Sequence, residues 1–214
     1  MSGLRVVQNA LAPFGESTFS GGIASRLGQQ VILDFYTYMA LVGAAYQVRA
    51  GTITTPLVGD VAITDAAAEM ASAAASGTTI IPVSLNIAIR LATGTLHEYA
   101  AKSAAVATMS GGTAFVPLPL RTDGAAATST AMVSAAGGVT VAVETATTTR
   151  RHWAFANPVA AGAGHEPVDH NWVPRVPPVL KGPASFYVQI AATTTGPSYY
   201  ASYDFLEAPS ATLL

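Results

Sequence analysis

The ligating side chains of this chain are concentrated between residues 165 and 170. Two imidazoles and two carboxylates lie within this stretch: His165, Glu166, Asp169 and His170. Such a set of side chains binds divalent metal ions. Pro167 lies between the histidines, however, and proline prevents the helical turn that an HExxH site requires. We therefore interpret the stretch as a polar surface or interface loop, and we predict no metal, no other cofactor and no catalytic residue.

A second candidate is a platform of aromatic and basic side chains. The run Arg150-Arg151-His152 precedes Trp153, and Trp172 is the other tryptophan of the chain. An aromatic face beside a cation stacks on sugars or bases. In a β protein two tryptophans more commonly fill the core or an interface, and this is the interpretation that we favour.

A proline-rich run follows Trp172. Residues 173–179 read VPRVPPV, a composition that is typical of extended polyproline backbone. Such a run docks into an aromatic groove of a partner in some recognition modules. More often it is a rigid connection on the surface, which is our interpretation here.

Catalytic and redox motifs are missing from the sequence. It contains no GxSxG nucleophile elbow, no phosphate-binding GxxxxGK[ST] loop and no dinucleotide fingerprint after a strand. The absence of cysteine excludes disulfides, thiolate zinc sites and thiol nucleophiles. The protein is therefore predicted not to be an enzyme.

The charge composition limits the partners. Only 10% of the residues are charged, against about 25% in an ordinary soluble domain, while 50% are hydrophobic. The net charge of −2 supplies no basic field for a phosphate backbone, so direct nucleic-acid binding is not expected. Apolar runs stay far below the roughly 20 residues of a membrane span, and the N-terminus lacks the pattern of a secretory signal. Surfaces poor in charge suit permanent subunit contacts, which predicts a homo-oligomer, taken as a trimer, without membrane contact.

Alternating hydrophobicity predicts the elements that position these groups. The clearest strand covers residues 79–91, where aliphatics recur at every second position and are expected on one face: Ile81, Val83, Leu85, Ile87, Ile89 and Leu91. Further strands are predicted over residues 30–41, 113–120, 139–144, 152–155, 184–191 and 199–207. Short strands separated by turn residues are typical of an antiparallel β-sandwich.

Three segments carry more specific expectations. Pro117 and Pro119 remove two ladder donors, so residues 113–120 are expected at a sheet edge. The turn over residues 193–198 predicts an antiparallel hairpin of the last two strands. The alanine-rich residues 65–76 are compatible with a helix that Thr64 or Asp65 would cap.

The domain organisation follows from a change of pattern near residue 30. Residues 1–29 are rich in glycine, serine and asparagine and have no sustained periodicity, so they are predicted to form an extended arm or loop. Residues 30–214 are predicted to form a single β-sandwich domain.

Two parts of the sequence carry a family resemblance. Residues 76–85 (SGTTIIPVSL), which begin a long alternating strand, resemble a pattern in jelly-roll structural proteins of tailed-phage virions. Residues 182–189, 193–197 and 203–207 are similar to the closing strands of such proteins. The resemblance implies a double-sheet jelly roll, symmetric self-association, contacts with other virion proteins, and no catalytic residues.

The leading hypothesis is therefore a non-enzymatic virion structural protein of the capsid decoration, minor capsid or fibre-associated type. One alternative is a carbohydrate- or receptor-binding β-sandwich module, which would use exposed aromatics such as Tyr199, Tyr200 and Trp172. Another is a metal-dependent hydrolase of the cupin-like jelly-roll type. That alternative requires histidines to meet in space: His97, His152, His165 or His170.

Overall fold

A computed structural model describes most of the chain as β-strands. The described residues are 23–24, 30–31, 34–63, 67–91, 96–134, 138–141, 147–156, 168–194 and 196–212. Of the predicted arm over residues 1–29, only Ile23–Ala24 falls among them, and it pairs with Gln30–Val31. The rest of the arm, and the predicted loop residues 160–164, lie outside the described residues.

One α-helix, α1 (Phe35–Leu41), and one short 3₁₀ helix (Ser210–Thr212) accompany the strands of the described residues. In chain order the strands are β1 (Ile23–Ala24), β2 (Gln30–Val31), β3 (Ala45–Ala50), β4 (Leu57–Val58), β5 (Ala67–Ala68), β6 (Met70–Ala74), β7 (Thr78–Leu91), β8 (Leu96–Ala104), β9 (Thr113–Phe115), β10 (Leu118–Pro119), β11 (Thr130–Val133), β12 (Val139–Thr140), β13 (Thr147–Ala156), β14 (Val168–Trp172), β15 (Leu180–Lys181), β16 (Ala184–Ala192) and β17 (Ser198–Pro209). No helix within the described ranges has the length and apolar character needed to cross a bilayer.

Most strands belong to two antiparallel sheets. Sheet I has the order β10-β3-β17-β7-β14, with β4 beside β17 and β15 beside β7. Sheet II has the order β13-β8-β16-β6-β11-β9. The pairing confirms the predicted all-β, antiparallel sandwich.

The strands of five or more residues are connected as a jelly roll. In chain order they are β3, β6, β7, β8, β13, β14, β16 and β17. The first of these strands pairs with the last (β3 with β17), the second with the seventh (β6 with β16), the third with the sixth (β7 with β14), and the fourth with the fifth (β8 with β13). This nested pairing is that of a double-sheet jelly roll built from two Greek keys.

The core lies between the facing sides of the two sheets. Sheet I contributes Leu85, Ile87 and Tyr203 to it, and sheet II contributes Met70 and Phe186, all of them fully buried. Burial of each such side chain stabilises the fold by roughly 1.5–3 kcal/mol. Two smaller clusters cover the outer faces, one under α1 on sheet I and one under β5 and β12 on sheet II.

The single aliphatic face predicted for residues 79–91 is only partly correct. Leu85, Ile87 and Ile89 enter the core as expected. Ile81 instead belongs to the cluster under α1, and Leu91 is exposed. The pairing of β7 with β17 contains an irregularity between Asp204 and Phe205 that passes over one residue of β7. Such a bulge reverses which residues face inward.

The strand predicted over residues 30–41 is wrong for its second half, where α1 forms. Asp34 caps the helix, because its carboxylate accepts hydrogen bonds from the backbone N–H groups of Tyr36 and Thr37 at 3.0 Å each. The helix ends before Gly43, which adopts a left-handed φ of +78°. Met39 is thereby buried against the outer face of sheet I.

The helix considered for residues 65–76 does not form where the structure describes them. β5 and β6 occupy residues 67–74, and every residue of β6 is buried. β6 lies between β16 and β11 in sheet II. One face of β6 lines the core, and the opposite face packs under β5 and β12. Tertiary packing on both faces overrides the helix propensity of alanine.

The predicted hairpin of the last two strands is wrong, whereas the edge position of residues 113–120 is confirmed. β16 lies in sheet II and β17 in sheet I, so the turn between them crosses from one sheet to the other. At this crossing the Gly59 N–H donates to the Pro197 carbonyl oxygen at 2.9 Å.

β9 and β10 form edge strands of sheets II and I, respectively.

The crossing requires glycine at position 196. A Cβ atom there would overlap the carbonyl oxygen of Gly59. Gly196→Ala is therefore expected to lower the free energy of unfolding by at least about 2 kcal/mol, measured by urea denaturation. The control is Gly43→Ala, where an added Cβ meets nothing within 4 Å and only the left-handed backbone is strained. Equal stability of the two variants would contradict the close approach.

Candidate functional site

The structure brings two of the four histidines together at one edge of the sandwich. His97 lies in β8 of sheet II and His170 in β14, the edge strand of sheet I. Tyr99 lies between them: its hydroxyl oxygen is 3.2 Å from Nδ1 of His97, and its ring centroid is 4.8 Å from that of His170. The ring of Trp153 is 6.1 Å from that of His170.

The environment of this cluster favours neutral side chains. Burial lowers the pKa of His170, His97 acts in the same direction, and Asp169 opposes them. Burial likewise raises the pKa of the Tyr99 hydroxyl. His97 and Tyr99 are fully buried. His170 is half-buried, and the three rings form packing and hydrogen-bonding contacts between the two sheets.

The other predicted metal ligands do not join this cluster within the described residues. His152 points away from it, with its Nε2 atom 3.4 Å from Oε1 of Glu98. Residues 168–170 of the predicted polar loop form part of β14 instead, because they pair with β7, and Asp169 is exposed on that strand. His165 and Glu166 lie outside the described residues. Where side chains are described, no three His, Asp or Glu groups are close enough to hold a metal ion.

Both tryptophans pack against the core, which confirms the interpretation favoured from the sequence. Trp172 stacks on Phe186 with ring centroids 6.2 Å apart, and both indoles are partly buried against the core cluster. The guanidinium of Arg151 lies 5.2 Å from the ring centroid of Trp153. Arg150 is drawn away from the indoles, because its Nε donates to the hydroxyl of Ser103 at 2.8 Å.

The proline-rich run forms the connection between β14 and β15, as expected. Its three valines are exposed: Val173 by 68%, Val176 by 82% and Val179 by 61%. The connection therefore presents three aliphatic side chains to solvent.

A buried acid that the sequence analysis did not single out lies near one end of the sandwich. The Tyr199 hydroxyl donates to Oε2 of Glu69 at 2.7 Å, and both residues are buried. Burial raises the pKa of Glu69 to about 7; Asp60 acts in the same direction, and the Tyr199 hydrogen bond opposes them. A strongly shifted acid in a cleft often marks an active site. Glu69 is enclosed in the fold, so we assign it a structural role.

The sequence analysis also missed a polar row on the outer face of sheet I. Asp204 of β17 lies opposite Gln47 of β3 and Ser84 of β7. The Gln47 amide nitrogen donates to Oδ1 of Asp204 at 3.0 Å, and the Ser84 hydroxyl donates to Oδ2 at 2.7 Å. The alternation of β17 signals only that Asp204 faces outward. The partners depend on strand register, which one sequence does not reveal.

Two residues of this row, Ser84 and Asp204, also line a cleft of about 260 Å³. The other walls are largely apolar, with Tyr36 of α1, Leu120 after β10 and Val173 after β14 at the surface. We call this feature the Asp204 cleft. Its lining is almost entirely apolar, and both carboxylate oxygens of Asp204 already accept hydrogen bonds from Gln47 and Ser84.

Comparisons with known proteins add no assignment to these sites. No family model, no curated protein and no solved structure matches the chain.

The buried acid predicts a pH dependence of stability. Glu69 ionises near pH 4.5 in an unfolded chain but near pH 7 in the folded protein. The folded state therefore holds the proton more tightly, and stability falls as the pH rises through this window. The full loss above pH 7 is roughly 3 kcal/mol. Glu69→Gln is expected to flatten this slope and to be more stable than the unmodified protein above pH 7.

Urea denaturation at a series of pH values measures this effect. Glu98→Gln is the control, because it removes a carboxylate that is partly exposed and leaves Glu69 in place. The assignment is contradicted if Glu69→Gln and the unmodified protein lose stability in parallel between pH 4.5 and 7.

Proposed function

We propose that this chain is a non-enzymatic structural subunit of a virion, of the capsid decoration, minor capsid or fibre-associated type. It acts through self-association and through contacts with neighbouring virion proteins. The observation that carries the proposal is the apolar outer surface around sheet I, in a chain that has few charges.

The exposed apolar side chains near the Asp204 cleft support an assembly role. Tyr36, Leu120 and Val173 line the cleft together although they belong to distant parts of the chain. Phe35 is 46% exposed, and its ring contacts that of Tyr36 with centroids 5.9 Å apart. Val176 continues the same connection beyond Val173 and is 82% exposed. Contiguous apolar surface of this kind marks sites of protein contact.

The charge distribution supports the same role. With 10% charged residues, the chain has few groups that would have to lose their hydration when two copies meet. Interface cores are depleted in charge for this reason. A closed assembly of identical copies would cover the valines of the proline-rich run and the cleft rim.

The fold agrees with the proposal without deciding it. The jelly roll occurs in viral capsid domains, and also in lectins and cupins, so the architecture alone does not fix a function. The resemblance of residues 76–85 to virion jelly-roll proteins favours the first of these classes. Enclosure of His97, Tyr99 and Glu69 weighs against a cupin-like enzyme.

Self-association is testable with a charge placed on the exposed run. The purified protein is expected to form oligomers whose mass is measured by light scattering after size exclusion. Val176→Asp should raise the dissociation constant about tenfold or more. Burying an aliphatic side chain contributes roughly 1.5–3 kcal/mol to association, and burying a carboxylate in its place adds a desolvation penalty.

Ile53→Asp is the matched control for this substitution. Ile53 is 63% exposed and follows the opposite end of β3 from the cleft. Its variant should associate like the unmodified protein. A protein that stays monomeric at every concentration, or one in which both variants lose association equally, would refute the proposed surface.

A second candidate is a carbohydrate- or receptor-binding module, and a specific surface favours it. On the outer face of sheet I, Ser202 lies opposite Arg49 and Asn86, and Asn86 lies opposite Asn171. This row of short polar side chains runs beside the Asp204 row and offers both donors and acceptors to sugar hydroxyls. The aromatics expected to serve such a site are less available: Tyr199 is buried and Trp172 packs on Phe186.

A glycan array separates the two candidates. If the module binds sugars, the unmodified protein gives specific signals, and Asn86→Ala with Ser202→Ala removes them because their hydrogen bonds to hydroxyls are lost. Thr148→Ala, an exposed position on β13 of sheet II, is the control. We expect no specific signal, and a signal lost only in the paired variant would favour the second candidate instead.

A further inference from the structure

We propose that Asp123 is a site of spontaneous covalent modification, at which its side chain closes on the backbone nitrogen of Gly124 to give isoaspartate, and that Arg121 restrains this reaction in the folded protein. The inference goes beyond the proposed function, because it concerns a chemical change within one chain and requires no partner. It rests on the Asp123–Gly124 sequence, on the exposure of the turn that contains it and on the hydrogen bonds of Arg121.

The Asp123–Gly124 pair lies in a tight turn at the surface. The turn covers residues 121–124, between β10 and β11, and it is closed by a hydrogen bond from the Gly124 N–H to the Arg121 carbonyl oxygen at 2.9 Å. The side chain of Asp123 is 69% exposed. Because glycine follows the aspartate, no Cβ shields the backbone nitrogen from the neighbouring carboxyl group. Solvent water therefore reaches both reacting groups.

The reaction balances without a cofactor or an oxidant. The Gly124 nitrogen attacks Cγ of Asp123 and loses its proton, while the carboxyl group loses a hydroxyl, so one water molecule leaves and a cyclic imide forms. Water then adds to either imide carbonyl carbon and breaks the bond of that carbon to the nitrogen. Opening at Cγ restores aspartate. Opening at the main-chain carbonyl carbon leaves the backbone running through Cβ and Cγ, which is isoaspartate.

Arg121 restrains the first step by binding the carboxylate. Its Nη2 donates to Oδ2 of Asp123 at 2.8 Å, and its Nε donates to Oδ1. This pair of charge-assisted hydrogen bonds favours the ionised form of the group. The hydrogen bonds from Arg121, together with its charge, lower the pKa of Asp123. Only a protonated carboxyl group loses its hydroxyl readily, so Arg121 keeps the reactive form scarce.

The backbone of the turn supplies a second restraint. The Gly124 nitrogen has to rotate towards the side chain before it attacks, and this rotation breaks its hydrogen bond to the Arg121 carbonyl oxygen. A Cβ atom built on Gly124 would lie 2.8 Å from Cβ of Pro119 and 2.9 Å from that carbonyl oxygen. The turn is therefore packed closely against the end of β10, which limits the rotation.

The modification would act on a contact between the turn and α1. Arg121 also donates from Nη1 to the carbonyl oxygen of Leu41, the last residue of α1, at 3.0 Å. Isoaspartate adds a methylene group to the main chain and moves the carboxylate, so the hydrogen bonds that orient Arg121 are lost. Leu120, which precedes Arg121, lines the Asp204 cleft. The reaction is thus expected to loosen the edge of sheet I beside α1.

Ageing of the full-length protein tests the inference. The protein is incubated at mildly acidic pH, and isoaspartate is located in its proteolytic peptides by electron-transfer mass spectrometry. It is expected to accumulate at Asp123 but not at Asp34, which is also exposed but precedes the bulky Phe35. Arg121→Gln should accelerate accumulation roughly two- to fivefold, the range expected for loss of an exposed ion pair. Arg175→Gln, at another exposed arginine, is the control and should not.

Two further samples separate the restraint by Arg121 from a general loosening of the turn. Arg121→Lys keeps a positive charge but not the planar pair of donors, so its rate should lie between those of the unsubstituted protein and Arg121→Gln. Unsubstituted protein unfolded in urea loses both restraints and should react faster than the folded protein. The inference is overturned if the folded proteins form no isoaspartate at Asp123, if Arg175→Gln accelerates the reaction as much as Arg121→Gln, or if folded and unfolded chains react at the same rate.

Discussion

The ring of Phe186 joins the two sheets through aromatic contacts in the core. It extends from β16, near the middle of sheet II, and meets the ring of Tyr203 edge to face with centroids 5.1 Å apart and that of Trp172 at 6.2 Å. Its neighbours on the adjacent strands of sheet II are Ser72 and Ser103, which leave room for a large ring. Aromatic pairs of this kind contribute about 0.5–1.5 kcal/mol beyond the area they bury. Around this ring sheet II supplies small side chains, and sheet I supplies the complementary aromatics Tyr203 and Trp172.

Dense packing of the interior leaves the outer surface for interaction. His97, Tyr99, Glu69 and Tyr199 are all enclosed, and they contact one another in pairs within the fold. The outer face of sheet I differs, because α1 covers only part of it and the Asp204 cleft stays open beside the helix. An exposed apolar wall around a carboxylate is more costly in a solitary protein than in an assembly where a neighbouring segment covers it.

Local patterns in the sequence predicted much of this fold. Alternation identified β7, β16, β17 and part of β13, and Pro117 with Pro119 identified an edge, whereas β3, β8 and β14 were not predicted as strands. The errors arose where tertiary contacts decide. Because of a bulge in β7, Ile80 and not Ile81 lies in the core. Packing on both faces makes the alanine-rich segment a strand. The turn between β16 and β17 crosses from one sheet to the other. Asp34 is a local signal for the start of α1, but the alternating hydrophobicity of residues 30–41 favoured a strand there instead. The polar row around Asp204 combines residues from three strands, so it depends on a register that only the folded chain defines.

The central claim is that copies of this chain cover the apolar outer surface around sheet I. Amide hydrogen exchange as a function of protein concentration tests it most directly, because exchange reports protection residue by residue. Assembly is expected to slow exchange in α1, around Leu120 and in residues 173–179, while the central strands β7 and β17 are already protected at low concentration. Exchange that does not change with concentration, or new protection confined to the outer face of sheet II, would contradict the account.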